Sequence, residues 1–489
     1  MSRNLIFYVL LIAIFGSLLW FVFNQGAELE VLQSPQTSVG EMSVENPEFG
    51  ATADVSAFFV FFRNLSQNLR HPLSLLLLQI VIIVLASKLL GSLVSKFGQP
   101  LVIGEMIAGI LLGSSVLGHF WPKVSNFIFR ADSLQNLNFL SQLGLILFMF
   151  IIGLELDIHL LKHKAQTAIV VSHASIIIPF AMGVSLAYFL YATFAPPHIS
   201  FLAFGLFMGI AMSITAFPVL ARILQERGLT KTPLGSLAIT CAATDDVTAW
   251  CILAAVIAIV QAGTVSSAVF TVLLSMVYVI AMLTLVRPWL GRLGAKYASA
   301  ESLNKSFVVL SFVVLFLSAL TTEVIGIHAL FGAFLAGVSM PAQVSFRKLL
   351  ASRIEDVALV ILLPLFFAFT GLKTQVGLLN DGATWLVCGL IILVAVAGKF
   401  GGSLFAARFT GQSWSDSFAI GALMNTRGLM ELIVLNIGYD LGILSPTVFT
   451  MMVLMALVTT LMTCPTLSWI ERILWKRESM SVKPLPERL

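Results

Sequence analysis

The stretch Leu237-Ala-Ile-Thr-Cys-Ala-Ala-Thr244-Asp245-Asp246-Val-Thr-Ala-Trp-Cys-Ile-Leu-Ala254 sets two carboxylates side by side inside an apolar run. Apolar residues continue for about two turns or more on either side. Counting from Leu234 at 1.5 Å per residue puts Asp245 ~16 Å deep, near the middle of a ~30 Å hydrocarbon layer. A charge at that depth costs at least ~2.5–3.5 kcal/mol. Adjacent carboxylates also repel each other. A pair kept there points to chemistry on a cation or on protons. The competing reading is a misplaced helix end carrying two solvated aspartates.

Composition supports the membrane reading. The chain has 489 residues, 58% hydrophobic and only 11% charged, where a soluble domain carries roughly 25% charged residues. The net charge of +4 implies little by itself, and no nucleic-acid partner is expected. Four cysteines (Cys241, Cys251, Cys388, Cys464) fall inside apolar runs without metal-like spacing and read as unpaired, buried small residues.

Four segments follow from the hydropathy. Residues 1–24 form an N-terminal helix, read either as a retained anchor or as a signal peptide. Residues 25–71 are a polar extracytoplasmic linker, 72–470 a transmembrane domain, and 471–489 a short cytoplasmic tail. The domain holds about 13 apolar stretches, from Pro72–Val94 to Pro446–Leu467, each near the length needed to span. Alternate loops carry Lys96; Lys162 and Lys164; Arg222, Arg227 and Lys231; Arg287, Arg292 and Lys296; Arg347, Lys348 and Arg353; Arg408; and Arg472, Lys476 and Arg477. The positive-inside rule places this set, and the C-terminus, in the cytoplasm.

Two stretches carry helix-breaking residues: Ala211-Met-Ser213-Ile-Thr215-Ala-Phe-Pro218, and Met424-Asn425-Thr426-Arg427-Gly428. Proline removes a backbone donor and disfavours helix before it. Paired interruptions in two halves of a chain mark the binding site of inverted-repeat transporters. The first break lies one span before the aspartates and the second one span before the last helix, although no residue-level repeat is visible.

Adjacent helical residues point about 100° apart, so Asp245 and Asp246 can serve different surroundings. An aspartate titrates near ~3.9 in isolation, and burial or nearby charge moves it. Exchanging a proton for a metal ion needs such a tunable group. Lys399, in Val394-Ala-Val-Ala-Gly-Lys399-Phe-Gly-Gly402, needs an acidic partner unless it snorkels to the cytoplasmic edge. Arg427 and Glu431 share a helix face at four-residue spacing and read as neutralising the ends of the broken helix, with a direct ion role as the alternative. Glu105 and Glu155 sit near cytoplasmic helix ends, as an entry funnel or as wet termini. Glu323 and His328 lie near the outer face. There is no phosphate-loop motif, no His-Glu-x-x-His, no Gly-x-Gly-Asp protease pair and no Thr-Val-Gly-Tyr-Gly filter. No enzyme and no bound cofactor are expected.

Five blocks together resemble the monovalent cation:proton antiporter-2 family. They are Gly98-Gln-Pro-Leu-Val-Ile-Gly-Glu105-Met-Ile-Ala-Gly, Gly144-Leu-Ile-Leu-Phe-Met-Phe-Ile-Ile-Gly-Leu-Glu155, Ser213-Ile-Thr215-Ala-Phe-Pro-Val-Leu-Ala-Arg222, Gly326-Ile-His328-Ala-Leu-Phe-Gly-Ala-Phe, and Asn425-Thr-Arg427-Gly-Leu-Met-Glu431-Leu. The last is especially similar to cyanobacterial sodium/proton antiporters and plant cation/proton exchangers.

The resemblance implies an all-α polytopic fold: thirteen helices divided into a dimerisation panel and a core of inverted repeats with two discontinuous crossing helices. The N-terminal helix is extra. It implies a homodimer exchanging Na⁺ or Li⁺ for protons, with K⁺ as an alternative substrate, electrogenically where an Asp-Asp pair faces a lysine. By motif, Asp246 is the principal ligand of cation and proton. Asp245 pairs with Lys399, and Thr215, Ser213 and Thr244 lie around the site. Asn425, Arg427 and Glu431 support it. A cation channel is the rival of another class. The membrane implied is a bacterial-type cell membrane, a thylakoid or an endomembrane.

Overall fold

The computed structural model describes residues 71–155, 165–229, 232–261, 265–299, 302–303, 305–341 and 343–470, with residues 6, 10–11, 13–22, 64, 68–69 and 472. The chain runs through α1 (Pro72–Ser95), α2 (Leu101–Leu112), α3 (Ala131–Glu155), α4 (Ala165–Phe194), α5 (Phe201–Ser213), α6 (Phe217–Glu226) and α7 (Pro233–Gln261). It continues through α8 (residues 265–297), α9 (Lys305–Ile325), α10 (Ala329–Ser339), α11 (residues 344–373), α12 (Gly382–Phe409), α13 (Trp414–Met424), α14 (Leu429–Asp440) and α15 (Pro446–Ile470). Among the described residues, ten helices are long and apolar enough to cross a membrane, and Ala13–Val22, α5 and α10 are shorter apolar helices. The strand content there is a two-residue pairing, Ala298–Ser299 with Ser302–Leu303.

In hydrocarbon every backbone group must be bonded internally, which is why apolar segments of this length fold as helices. Their starts carry the expected caps. Ser200 Oγ accepts from the Ala203 N–H at 3.2 Å, and Ser413 Oγ from that of Asp416 at 3.0 Å. Asp381 caps α12, and bonds from the Thr384 hydroxyl and N–H hold its carboxyl below the usual aspartate range.

The helices pack in two groups. In one, α2 lies on α1 and α11, and α10 on α3 and α9. In the other, α4 carries α5, α7 and α12, while α15 carries α12, α13 and α14. Glycine allows backbone contact within the first group. A Cβ on Gly153 would sit 2.2 Å from the Phe334 carbonyl, and one on Gly337 2.3 Å from that of Phe150. The groups share an apolar core, and where α11 meets α14 the contact is polar. There Asn436 Nδ2 donates to Thr370 Oγ1 at 2.7 Å and Lys373 Nζ to Asp440 Oδ1 at 2.6 Å.

Helix α8 presents Phe270, Leu273, Leu274 and Val277 outward, as a lipid-facing helix does. Cys251 corrects one expectation: it is exposed, while Cys241, Cys388 and Cys464 are buried. It sits on an outward face of α7, where a small apolar residue is stable against lipid. Most of the linker and of the tail fall outside the described residues, as do Lys162, Lys164, Lys231, Lys476 and Arg477.

Candidate functional site

Both predicted breaks are present, and they cross. Helix α5 ends at Ser213, with Ile214 and Ala216 extended before α6 begins. Helix α13 ends at Met424, and α14 begins after Gly428. The Ala216 N–H donates to the Thr426 carbonyl at 3.0 Å, joining break to break. Thr215 Oγ1 also lies 3.3 Å from the Met424 carbonyl.

An α-helix leaves its last four carbonyls without intrahelical partners. In α5 these belong to Ile210, Ala211, Met212 and Ser213, and each is satisfied. Ser213 Oγ donates to Ile210 at 2.9 Å. Arg427 Nη1 donates to Ala211 at 2.9 Å and Nη2 to Met212 at 2.7 Å. Lys399 Nζ donates to the Ser213 carbonyl. Two cations thus stand at the negative end of the α5 dipole. Glu431 occupies the first turn of α14, the positive end of that half-helix, 3.2 Å from Arg427 Nη1. The Phe217 N–H, first in α6, faces Asp246. Arg427 and Glu431 therefore pair at the predicted spacing, but the guanidinium closes the end of the other broken helix.

Asp245 is the hub. Its Oδ2 accepts from Lys399 Nζ at 2.9 Å, Thr215 Oγ1 at 2.7 Å and Ser175 Oγ at 2.6 Å. Asp245 and Lys399 are completely buried, so the snorkelling reading of the lysine fails. Lys399 lies in a π-turn over Ala397–Gly401, a local widening of α12.

Ser175 was not foreseen, yet the chain carries its signal. Pro179, inside α4, has no N–H, and so leaves the Ser175 carbonyl four residues earlier without its helical donor. Lys399 Nζ fills that vacancy at 2.8 Å. A proline four residues after a serine in a membrane helix marks a free carbonyl beside a hydroxyl.

Asp246 is 5% exposed, and no side-chain donor reaches its oxygens; the group that faces it is the Phe217 backbone N–H. Asn425 is buried at the second break. Other candidates lie apart from this hub. The Thr244 hydroxyl donates to Thr240 within its own helix at 2.8 Å. Glu105 is half-buried on α2, and Glu155 lies exposed at the end of α3 near Glu355. Glu323 Oε2 accepts from the Ala329 N–H at 2.7 Å, and His328 Nδ1 from that of Leu330 at 3.4 Å; both cap α10.

The site therefore buries three carboxylates, Asp245, Asp246 and Glu431, with two cations, Lys399 and Arg427. With every group ionised, one negative charge is left over. A proton or a monovalent cation cancels it. A divalent ion overshoots.

Residues 57–472 match the family described as "Sodium/hydrogen exchanger, transmembrane". The chain is 44% identical over 396 residues to the Na(+)/H(+) antiporter NhaS4 of Synechocystis, covering 81% of this chain and 97% of that protein. It is 40% identical to Cation/H(+) antiporter 17 of Arabidopsis thaliana and 35% identical to K(+)/H(+) antiporter 1 of Saccharomyces cerevisiae. In both cases 81% of the chain aligns, spanning 48% and 46% of those longer proteins. The fold is similar to that of the sodium proton antiporter MjNhaP1 from Methanocaldococcus jannaschii, with a TM-score of 0.59 at 14% identity over 83% of this chain and 98% of that one. With a family match running through both breaks and all five buried charges, the chain is an integral multi-pass membrane protein of the sodium/hydrogen exchanger family.

Proposed function

We propose that the protein exchanges a monovalent cation, Na⁺ or Li⁺ first and K⁺ as the alternative, for protons. It acts as a homodimer, with its C-terminus in the cytoplasm. The observation that carries this reading is the Asp246 carboxyl, buried where two broken helices cross and paired with neither Lys399 nor Arg427. Cation and proton compete for that carboxylate, so the site is neutral when it holds either one. Asp245 and Lys399 form an internal pair able to take part in a second proton step, which would make exchange electrogenic. The K⁺ alternative is favoured by the yeast relative named as a K(+)/H(+) antiporter.

The test is dequenching of a pH dye in proteoliposomes on adding Na⁺, Li⁺ or K⁺. Competition predicts that lowering pH by one unit raises the apparent KM for the cation up to about tenfold, with little change in maximal rate. A cation flux that moves no protons would identify a channel instead.

Removing the lysine tests the second step. Lys399→Ala leaves Asp245 with only Ser175 and Thr215 as donors and the Ser213 and Ser175 carbonyls unpaired. The variant loses stability, as one-sided removal of a buried ion pair does, but the molecules that fold keep Asp246 and so keep exchange, with the charge moved per cycle and the pH profile changed. Solid-supported-membrane currents measure this, and unchanged currents and profile would exclude Lys399 from the coupled step.

A further inference from the structure

Besides the Glu431 carboxylate, which Arg427 neutralises, four buried oxygens at the crossing have no side-chain hydrogen-bond donor: Asp245 Oδ1, both oxygens of Asp246, and Asn425 Oδ1. Asn425 is the one neutral group among them, and it is 3% exposed. Its place is set by bonds on either side. Its own N–H donates to the Gly421 carbonyl at 3.1 Å, the preceding Met424 carbonyl lies 3.3 Å from Thr215 Oγ1, and the following Thr426 carbonyl accepts from Ala216. Ala216 directly precedes Phe217, whose N–H faces Asp246. Asn425 and Phe217 therefore each lie one residue from an end of the Ala216–Thr426 bond that joins the breaks, which sets Asn425 beside the segment facing Asp246. The other hydroxyls there are engaged, since Thr215 and Ser175 both donate to Asp245.

Buried acceptors without donors are rare in folded proteins. A group that carries no lone pair to repel them and needs several hard oxygens is an alkali cation. The two kinds of oxygen do different work. A carboxylate binds a proton as readily as a metal and gives the charge, which is the same for every alkali ion. An amide oxygen offers a dipole and binds no proton at neutral pH, so it separates ions by radius and dehydration.

We propose that Asn425 Oδ1 ligates the cation together with Asp246 and sets the preference among Li⁺, Na⁺ and K⁺. This rests on the exchange reading of the same site. Asn425→Ala and Asn425→Ser are compared with wild type in proteoliposomes, reading apparent KM for each of the three ions. The expected result is a rise of about tenfold or more in KM for the preferred ion and a smaller rise for the others. Unchanged KM ratios among the three ions would overturn the proposal. So would an equal rise for all three accompanied by a lowered melting temperature, which marks a purely structural cap. Ion-dependent thermal stabilisation, read as the melting shift on replacing choline by Li⁺, Na⁺ or K⁺, gives a second measure that needs no transport. If the wild type exchanges no protons but shows these shifts, the exchange reading falls. The ligand assignment then stands or falls on whether the Asn425 variants reorder the shifts.

Discussion

Asp246→Asn abolishes exchange while leaving the protein folded. The substitution removes the one negative charge that no buried cation balances, and it keeps the size of the side chain. An amide can neither carry the travelling proton nor neutralise a dehydrated cation. The loss in transport rate is expected to exceed about a hundredfold, the scale of removing a group that acts in every step of a cycle. Stability should hold or rise, because no side-chain donor depends on Asp246, an amide oxygen can still face the Phe217 N–H, and a charge is costly where Asp246 stands. Proteoliposome exchange and the melting temperature in detergent, measured on one preparation, check both halves. Substantial residual exchange would remove Asp246 from the centre of the mechanism.

Arg427→Met has the opposite profile: it destroys stability first. The guanidinium is fully buried, closes the Ala211 and Met212 carbonyls of α5 and neutralises Glu431. Its removal leaves two orphan acceptors and a buried carboxylate without a partner. Breaking one side of a buried ion pair costs about 3–5 kcal/mol, enough to unfold a protein of ordinary marginal stability. Arg427→Lys fails as well, because an ammonium cannot span two successive carbonyls as a planar fork does. Adding Glu431→Gln to Arg427→Met should recover part of the loss by removing the stranded charge. Monodispersity and melting temperature of the single and double variants check this. A single variant as stable as wild type would show that the crossing does not depend on Arg427.

These two expectations separate roles that the sequence left merged. Read as residues, Arg427 and Glu431 are a four-spaced pair on one helix, and the sequence alone suggests they stabilise that helix. In the fold, Arg427 reaches the end of α5, 216 positions away in the chain from Ala211. Thr215, expected among the ion's ligands, spends its hydroxyl on Asp245. Thr244, beside the pair in sequence, turns back to its own helix. Asn425, read as support, brings an unpartnered buried oxygen to the crossing.

The amino-acid sequence by itself determined the membrane helices, both interruptions, and the place of Asp245, Asp246 and Lys399 inside apolar runs. Each of these follows from local properties: hydrophobic run length, the missing donor of proline, and the cost of charge in hydrocarbon. Only the tertiary structure decided which carboxylate takes the lysine, that the freed Ser175 carbonyl meets it, and that Arg427 caps a different helix from its own. Those outcomes depend on the rotation of each helix about its axis and on where two broken helices cross. Packing among all the helices sets both, and no single segment encodes either.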